Sequence, residues 1–280
     1  MSKRWTAAVV GVMVVALVDA VGLAGVTGRT RADPSSSWVA DATEFAVRGT
    51  PFQITPFPPP PPPPPAVCTP GSLIRGVNVG STKVVAFSFD DGPWPTNTRA
   101  VMSAFEARGL RATFFWPGIN VNAYPDIARD VVTRGHEVGN HSQTHVYSPS
   151  TIAREIPIAN ATIARVTGVT PVLFRSPGLT QSDTIQSALA VYGMCNIFTT
   201  VVLGDHLMPR RSASTLCSSF ANTLHPGEIV LLHDGGSHTP TVQAVPCMLD
   251  TALRRGYQIV TVGQLLRLGV PYSGPRPRTS

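Results

Sequence analysis

Two histidines four residues apart, His141 and His145, and two adjacent carboxylates, Asp90 and Asp91, are the residues in this chain best suited to chemistry. An i, i+4 pair on a helical turn faces one way and can hold one divalent ion, and the spacing predicts such a turn. An aspartate adds a hard oxygen ligand. Two histidines with one carboxylate leave a coordination position open, the pattern of catalytic rather than structural sites. Neighbours in a strand point to opposite faces, so Asp90 and Asp91 can serve one site only where the strand breaks, and Gly92-Pro93 predicts that break. One carboxylate can then bind metal while the other acts as a general base on water. Arg175, permanently charged, would orient a carboxylate beside it and keep it ionised. His233, paired with a nearby aspartate, is suited to protonate a leaving group.

Each residue has a plainer reading alone: a solvated Asp-Asp turn, a structural ion pair, a hydrogen-bonded core histidine. Their shared placement separates the readings. Apolar runs at 84–89, 112–116, 137–139, 172–174, 196–203, 229–232 and 258–262 read as strands. The stretches between them read as helices stopping near Gly109, Gly135, Gly168, Gly193 and Gly256. This βα alternation predicts an α/β fold, an incomplete or distorted (β/α) barrel of about seven parallel strands. In such folds chemistry gathers beyond the C-terminal strand ends, and the polar clusters fall there: Asp90-Asp91, His141 to His145, Arg175, Asp205 and His233-Asp234.

The chain is 43% hydrophobic and 14% charged, which excludes a disordered or collagen-like protein. Its net charge is +6 and almost wholly arginine, since Lys3 and Lys83 are the only lysines. The arginines are scattered without interleaved aromatics, so nucleic acid is not an expected partner. Lys3 and Arg4 followed by an apolar run give 1–32 the form of an export signal, with a retained membrane anchor as the alternative. Export predicts an extracellular or cell-envelope location. Residues 33–66 end in the unbroken run Pro58 to Pro65, a stiff polyproline spacer of about 25 Å. The catalytic domain is expected at 67–272, with a polar tail at 273–280. Cys68, Cys195, Cys217 and Cys247 form no C-x-x-C pair, so disulfides are expected in an oxidising compartment. Cys217 and Cys247 fall in helices flanking the strand at 229–232, which favours their pairing and leaves Cys68 with Cys195.

The motifs F-S-F-D-D-G-P at 87–93, G-H-E-V-G-N-H-S-Q-T-H at 135–145, R-S-P-G at 175–178 and L-L-H-D at 231–234 resemble the polysaccharide deacetylases of carbohydrate esterase family four, in the family's motif order. The resemblance implies that Asp91, His141 and His145 bind one divalent metal, zinc first, with cobalt or manganese as substitutes. It implies that Asp90 is the general base held by Arg175, that His233 is the general acid, and that the Gly178 N–H helps stabilise an oxyanion. Two motifs depart from the pattern. The third usually runs on to an aromatic or a second glycine, and here reads Pro177-Gly178-Leu179. The fourth usually reads Asp-x-x-Asp-Trp, and its best match is Val202 to His206. Asp205 can still tune His233, while His206 replaces the aromatic that helps enclose the acetyl methyl and leaves Leu231 as the clearer pocket residue. The implied activity is metal-dependent removal of N-acetyl groups from an amino-sugar polymer, peptidoglycan first. Chitooligosaccharides and acetylated xylan accept the same chemistry. A glycan-binding protein that has lost turnover is the reading from another class.

Overall fold

A computed structural model describes residues 67–275. The expected export signal or anchor, the proline spacer and most of the polar tail lie outside those residues. Among the described residues no helix is long and apolar enough to cross a membrane. In chain order the elements are β1 (Leu73–Ile74), β2 (Gly76–Asn78), β3 (Val84–Asp90), α1 (Asn97–Glu106), β4 (Thr113–Trp116), α2 (Gly118–Ala123) and α3 (Pro125–Thr133). They continue as β5 (Glu137–Asn140), α4 (Pro149–Thr167), β6 (Leu173–Phe174), α5 (Asp183–Val191), β7 (Cys195–Ile197), β8 (Val201–Val202) and α6 (Ala213–Thr223). The last are β9 (Glu228–His233), α7 (Thr239–Arg254), β10 (Gln258–Val260), α8 (Val262–Leu265) and β11 (Val270–Tyr272).

The described strands form one 11-stranded sheet. A continuous parallel path within it runs β7, β6, β5, β4, β3, β9, β8, with β1 also parallel to β7 and β10 parallel to β3. The two ends of this path, β7 and β8, are consecutive in the chain, with only residues 198–200 between them. A path whose two ends are tied so closely must curl round on itself, and the result is a nearly closed α/β barrel. The expected strand at 196–203 is thus two strands at opposite ends of that path. Thr199 makes the interruption: its hydroxyl accepts the Val201 N–H at 2.9 Å and donates to the Ile229 carbonyl at 2.6 Å, replacing a ladder partner.

β3 is buried along all seven residues because strands flank it and helices cover it, which is why it reads as an almost unbroken apolar run. Its one hydroxyl, on Ser88, donates to the Val230 carbonyl at 2.8 Å. Phe87, Phe89, Phe105, Phe114 and Trp116 fill the largest core cluster, with Phe89 and Phe114 stacked at 5.6 Å. Gly109, Gly135, Gly168, Gly193 and Gly256 all take positive φ, the left-handed conformation that ends a helix without a Cβ clash. Disulfides join Cys217 to Cys247, linking α6 to α7, and Cys68 to Cys195, tying the start of the domain to β7.

Candidate active site

The parallel strands deliver their polar residues to one end of the barrel. Asp90 is the last residue of β3, His141 follows β5, Arg175 follows β6, Asp205 lies three residues past β8, and His233 ends β9. Strand register sets them side by side, Asp90 being paired with His233 across β3 and β9. Between them lies a cleft of about 360 Å³.

Asp91 leaves the strand through a left-handed backbone, φ 72°, so the break falls on Asp91 itself, one residue earlier than Gly92-Pro93 suggests. The turn is held from below by Asp234. Its carboxylate accepts the Gly92 N–H at 3.1 Å and the Thr98 hydroxyl, and a Cβ on Gly92 would sit 2.4 Å from Asp234 Oδ2. Burial pushes the Asp234 carboxyl up to about 7, with the charges of Asp91 and Asp90 adding to the rise and the Thr98 hydroxyl opposing it. Asn120 Nδ2 donates to the Asp91 carbonyl at 2.7 Å.

The expected helical turn at 141–145 is not formed. His141 to Ser148 is a loop, with Ser142 and His145 both at positive φ. Side chains take the backbone N–H groups that a helix would pair internally. Asn140 Oδ1 accepts from Ser142, Ser142 Oγ from His145, and Glu155 Oε2 from both Gln143 and Thr144, at 2.8 to 3.1 Å. The two imidazoles still converge, their centroids 5.0 Å apart. His141 Nδ1 donates to the Arg175 carbonyl at 2.7 Å, which turns its Nε2 toward Asp91.

One ligand atom each from Asp91, His141 and His145 lies within 4.8 Å of the other two. Asp91 Oδ1 is 3.1 Å from His145 Nε2 and 3.5 Å from His141 Nε2, and it is buried without a well-directed hydrogen bond. An orphaned carboxylate oxygen facing two imidazole nitrogens is the donor set of an open divalent-metal site, so these residues fit the ion expected from the sequence. Burial raises the Asp91 pKa, but the adjoining His141 and His145 imidazoles outweigh it and hold the carboxylate well below its usual range.

Asp90 faces the same space from behind. Arg175 Nη1 donates to Asp90 Oδ1 at 2.7 Å, Arg175 Nε donates to the Ile197 carbonyl at 3.0 Å, and the guanidinium lies 4.2 Å from the Phe115 ring. Both partners are buried, at 0% and 2% exposure, and removing one partner of such a pair costs about 3–5 kcal/mol. Arg175 therefore fixes Asp90 through its side chain and His141 through its carbonyl.

On the opposite wall His233 Nδ1 donates to Asp205 Oδ1 at 3.0 Å, and Asp205 Oδ2 accepts the His233 N–H at 2.8 Å and the Thr241 hydroxyl at 3.0 Å. Burial lowers the His233 pKa, yet the Asp205 hydrogen bond and the charges of Asp205, Asp90 and Asp91 outweigh it and push the imidazole up to about 9. Burial likewise raises the Asp205 pKa, and the His233 contact overrides it and keeps the carboxylate ionised.

Gly178, Leu231 and His206 line the cleft. Pro177 does not: it is buried at the start of a 3-10 turn, Pro177–Leu179, where its ring sets the backbone direction, and Ser176 and Leu179 take the lining positions around it. Sequence reasoning missed Tyr147, Arg210 and His238, which also line the space, as does Val202 at the head of the fourth-motif match. His238 stacks on His233 at 5.0 Å and accepts from Arg210 Nη1 at 2.9 Å. Tyr147 lies edge-on to His145 and beside Gly178, where a Cβ would meet its ring at 2.9 Å. Their nearness in sequence to His145, Asp205 and His233 is the only signal they carry.

Residues 78–197 match the polysaccharide deacetylase family. A peptidoglycan-N-acetylglucosamine deacetylase of Bacillus cereus is 33% identical over 193 residues, spanning 66% of this chain and 89% of that protein. The chain belongs to the polysaccharide deacetylase family. A Bradyrhizobium chitooligosaccharide deacetylase is 31% identical over 206 residues, 67% of this deacetylase and 93% of that protein. Among solved structures, the Xyl-CE4 domain of a multidomain xylanase from the hindgut metagenome of Trinervitermes trinervoides is 30% identical with a TM-score of 0.62, covering 68% of this chain and 95% of that one. A CE4 family pseudoenzyme from Bacillus anthracis, at 24% identity and a TM-score of 0.65 over 70% of this chain and 69% of that one, shares the fold. As a family member this deacetylase is a hydrolase acting on acetylated polysaccharide.

Proposed function

We propose that this deacetylase removes the N-acetyl group from N-acetylglucosamine in peptidoglycan, releasing acetate, in a reaction that depends on one divalent metal, zinc first. The observation that carries the reading is the convergence on one cleft of three separately built units: Asp91 with His141 and His145, Asp90 with Arg175, and His233 with Asp205. An ion held by Asp91, His141 and His145 would supply Lewis acidity, polarising the acetamide carbonyl and acidifying nearby water. Asp90, aimed by Arg175, takes the proton of the attacking water as its oxygen bonds to the carbonyl carbon. The Gly178 N–H donates to the oxygen that gains charge. As the C–N bond breaks, His233 gives its proton to the departing amine, and the products are acetate and a free glucosamine amine. Leu231, 4% exposed, offers the acetyl methyl an apolar contact, and His206 borders the sugar.

The choice of polymer rests on the likeness to a peptidoglycan-N-acetylglucosamine deacetylase, together with the export signal or anchor expected at 1–32 and the proline-rich stretch expected as a spacer at 33–66. It is tested by acetate release from peptidoglycan, chitin oligomers and acetylated xylan, with and without a chelator. The expected result is chelator-sensitive release, greatest from peptidoglycan. Preference for xylan overturns the substrate, and binding of glycans without release from any of them overturns the activity.

Asp205→Asn removes the anion that holds the His233 proton. Burial is then opposed only by the charges of Asp90 and Asp91, the imidazole pKa falls, and the acid form is lost at lower pH. The alkaline limb of the rate profile should move down by on the order of two pH units, while the acid limb stays in place. An unmoved alkaline limb would detach Asp205 from the acid. His206→Trp, which alters a wall of the cleft and leaves the Asp205–His233 pair in place, should change KM without moving either limb.

A further inference from the structure

We propose that this deacetylase carries a second transition-metal site, made by His206, His233 and Asp205, whose filling by zinc shuts the enzyme off. The inhibition rests on the deacetylation reading above; the binding does not. One ligand atom from each of the three residues lies within 4.8 Å of the other two. The rings of His206 and His233 are 5.7 Å apart and tilted by 56°, so they do not stack flat against each other. Asp205 already holds His233 by both its Nδ1 and its backbone N–H, so the two side chains are in place before any ion arrives, and an ion shared between Asp205 and His233 Nδ1 would take the place of the proton now between them.

His206 is exposed and lines the cleft, while Asp205 is buried at 2% exposure, so an ion entering from solvent would meet one accessible imidazole backed by a buried anion. Imidazole-rich sets of this kind select zinc-like ions over magnesium or calcium. Position 206 carries histidine where the family resemblance implies an aromatic. A side chain expected to enclose has become one able to ligate.

The second site is the weaker one. Asp205 spends its oxygens on His233 and on the Thr241 hydroxyl, whereas Asp91 Oδ1 has no such partner. Its consequence is nevertheless direct: a His233 that ligates metal cannot carry the proton the leaving amine needs. Low zinc therefore activates and higher zinc inhibits.

The test uses the full chain loaded with one zinc equivalent. Further zinc is added while bound metal is counted by calorimetry and elemental analysis, and acetate release is followed in parallel. Wild type should take up a second, weaker equivalent, with activity falling about 100-fold as it fills, the scale of losing a general acid. His206→Trp should keep the first equivalent, lose the second, and fall by less than about twofold over the same zinc range, relative to its own activity at one equivalent. A wild type that binds only one equivalent, or a His206→Trp variant that still binds two, overturns the proposal. If no acetate is released at any zinc level while the second equivalent binds and depends on His206, the site stands and the deacetylation reading falls.

Discussion

Asp90→Asn is expected to retain its metal and lose about 10²- to 10⁴-fold in kcat, the range for removing a general base, while Asp91→Asn loses the metal itself. The two carboxylates are adjacent in sequence, and only geometry divides their roles. Asp90 ends a regular strand with Oδ1 engaged by Arg175 at 2.7 Å, and it stands outside the three-residue ligand group. Asp91 is swung out by its positive φ, so its Oδ1 meets His141 and His145 instead. An asparagine at 90 preserves the shape and still accepts from Arg175, but it cannot take a proton from water. It also leaves the Arg175 charge buried without its counter-ion, so Asp90→Asn should melt earlier than wild type. Metal content is therefore read on folded protein, with circular dichroism as the control. Equal metal loss in both variants would mean that the division of roles is wrong.

That division was only half legible in the sequence. Strand ends, the helix-stopping glycines and the barrel class follow from apolar periodicity and from residues whose conformational freedom is local, so they can be read without the fold. The loop at 141–145 could not. An i, i+4 histidine pair has the spacing of a helix, but the acceptor that decides the backbone path is Glu155, ten residues beyond His145 and inside α4. Nothing local marks Glu155 as the partner of Gln143 and Thr144. Pro177 fails for a related reason: it belongs to a motif that borders the cleft, yet the turn buries its ring and presents its neighbours. Asp234 is the converse case, a motif residue with no assigned role that proves to be the clamp beneath Gly92. Tyr147, Arg210 and His238 reach the cleft through tertiary approach alone, and single-sequence reasoning has no means of seeing them.

His141→Ala and His145→Asn should each abolish the metal equivalent that survives dialysis, and with it the several kcal/mol of transition-state stabilisation that a Lewis acid contributes, about 10³-fold or more in rate. The two variants should part company in stability, and that difference tests the site's construction as well as its ligands. His141 is 2% exposed, and its Nδ1 satisfies the Arg175 carbonyl. Its loss opens a cavity beneath the cleft and strands a buried acceptor, a destabilisation of about 1–3 kcal/mol before any metal is counted. His145 is part-exposed and held at φ 58°, a conformation that asparagine adopts more readily than most residues. His145→Asn relieves the strained backbone but gives up the imidazole contact to Asp91, so its apo form should melt close to the wild-type apo temperature, while apo His141→Ala melts well below it. Both measurements are made with chelator present, because an ion that binds only the folded chain would raise the wild-type midpoint by mass action and mask the comparison. A dialysis-resistant equivalent in either variant would remove that histidine from the ligand set. Equal melting of the two apo variants would mean that the Arg175 carbonyl is satisfied without His141, and that the imidazole is not oriented before the ion binds.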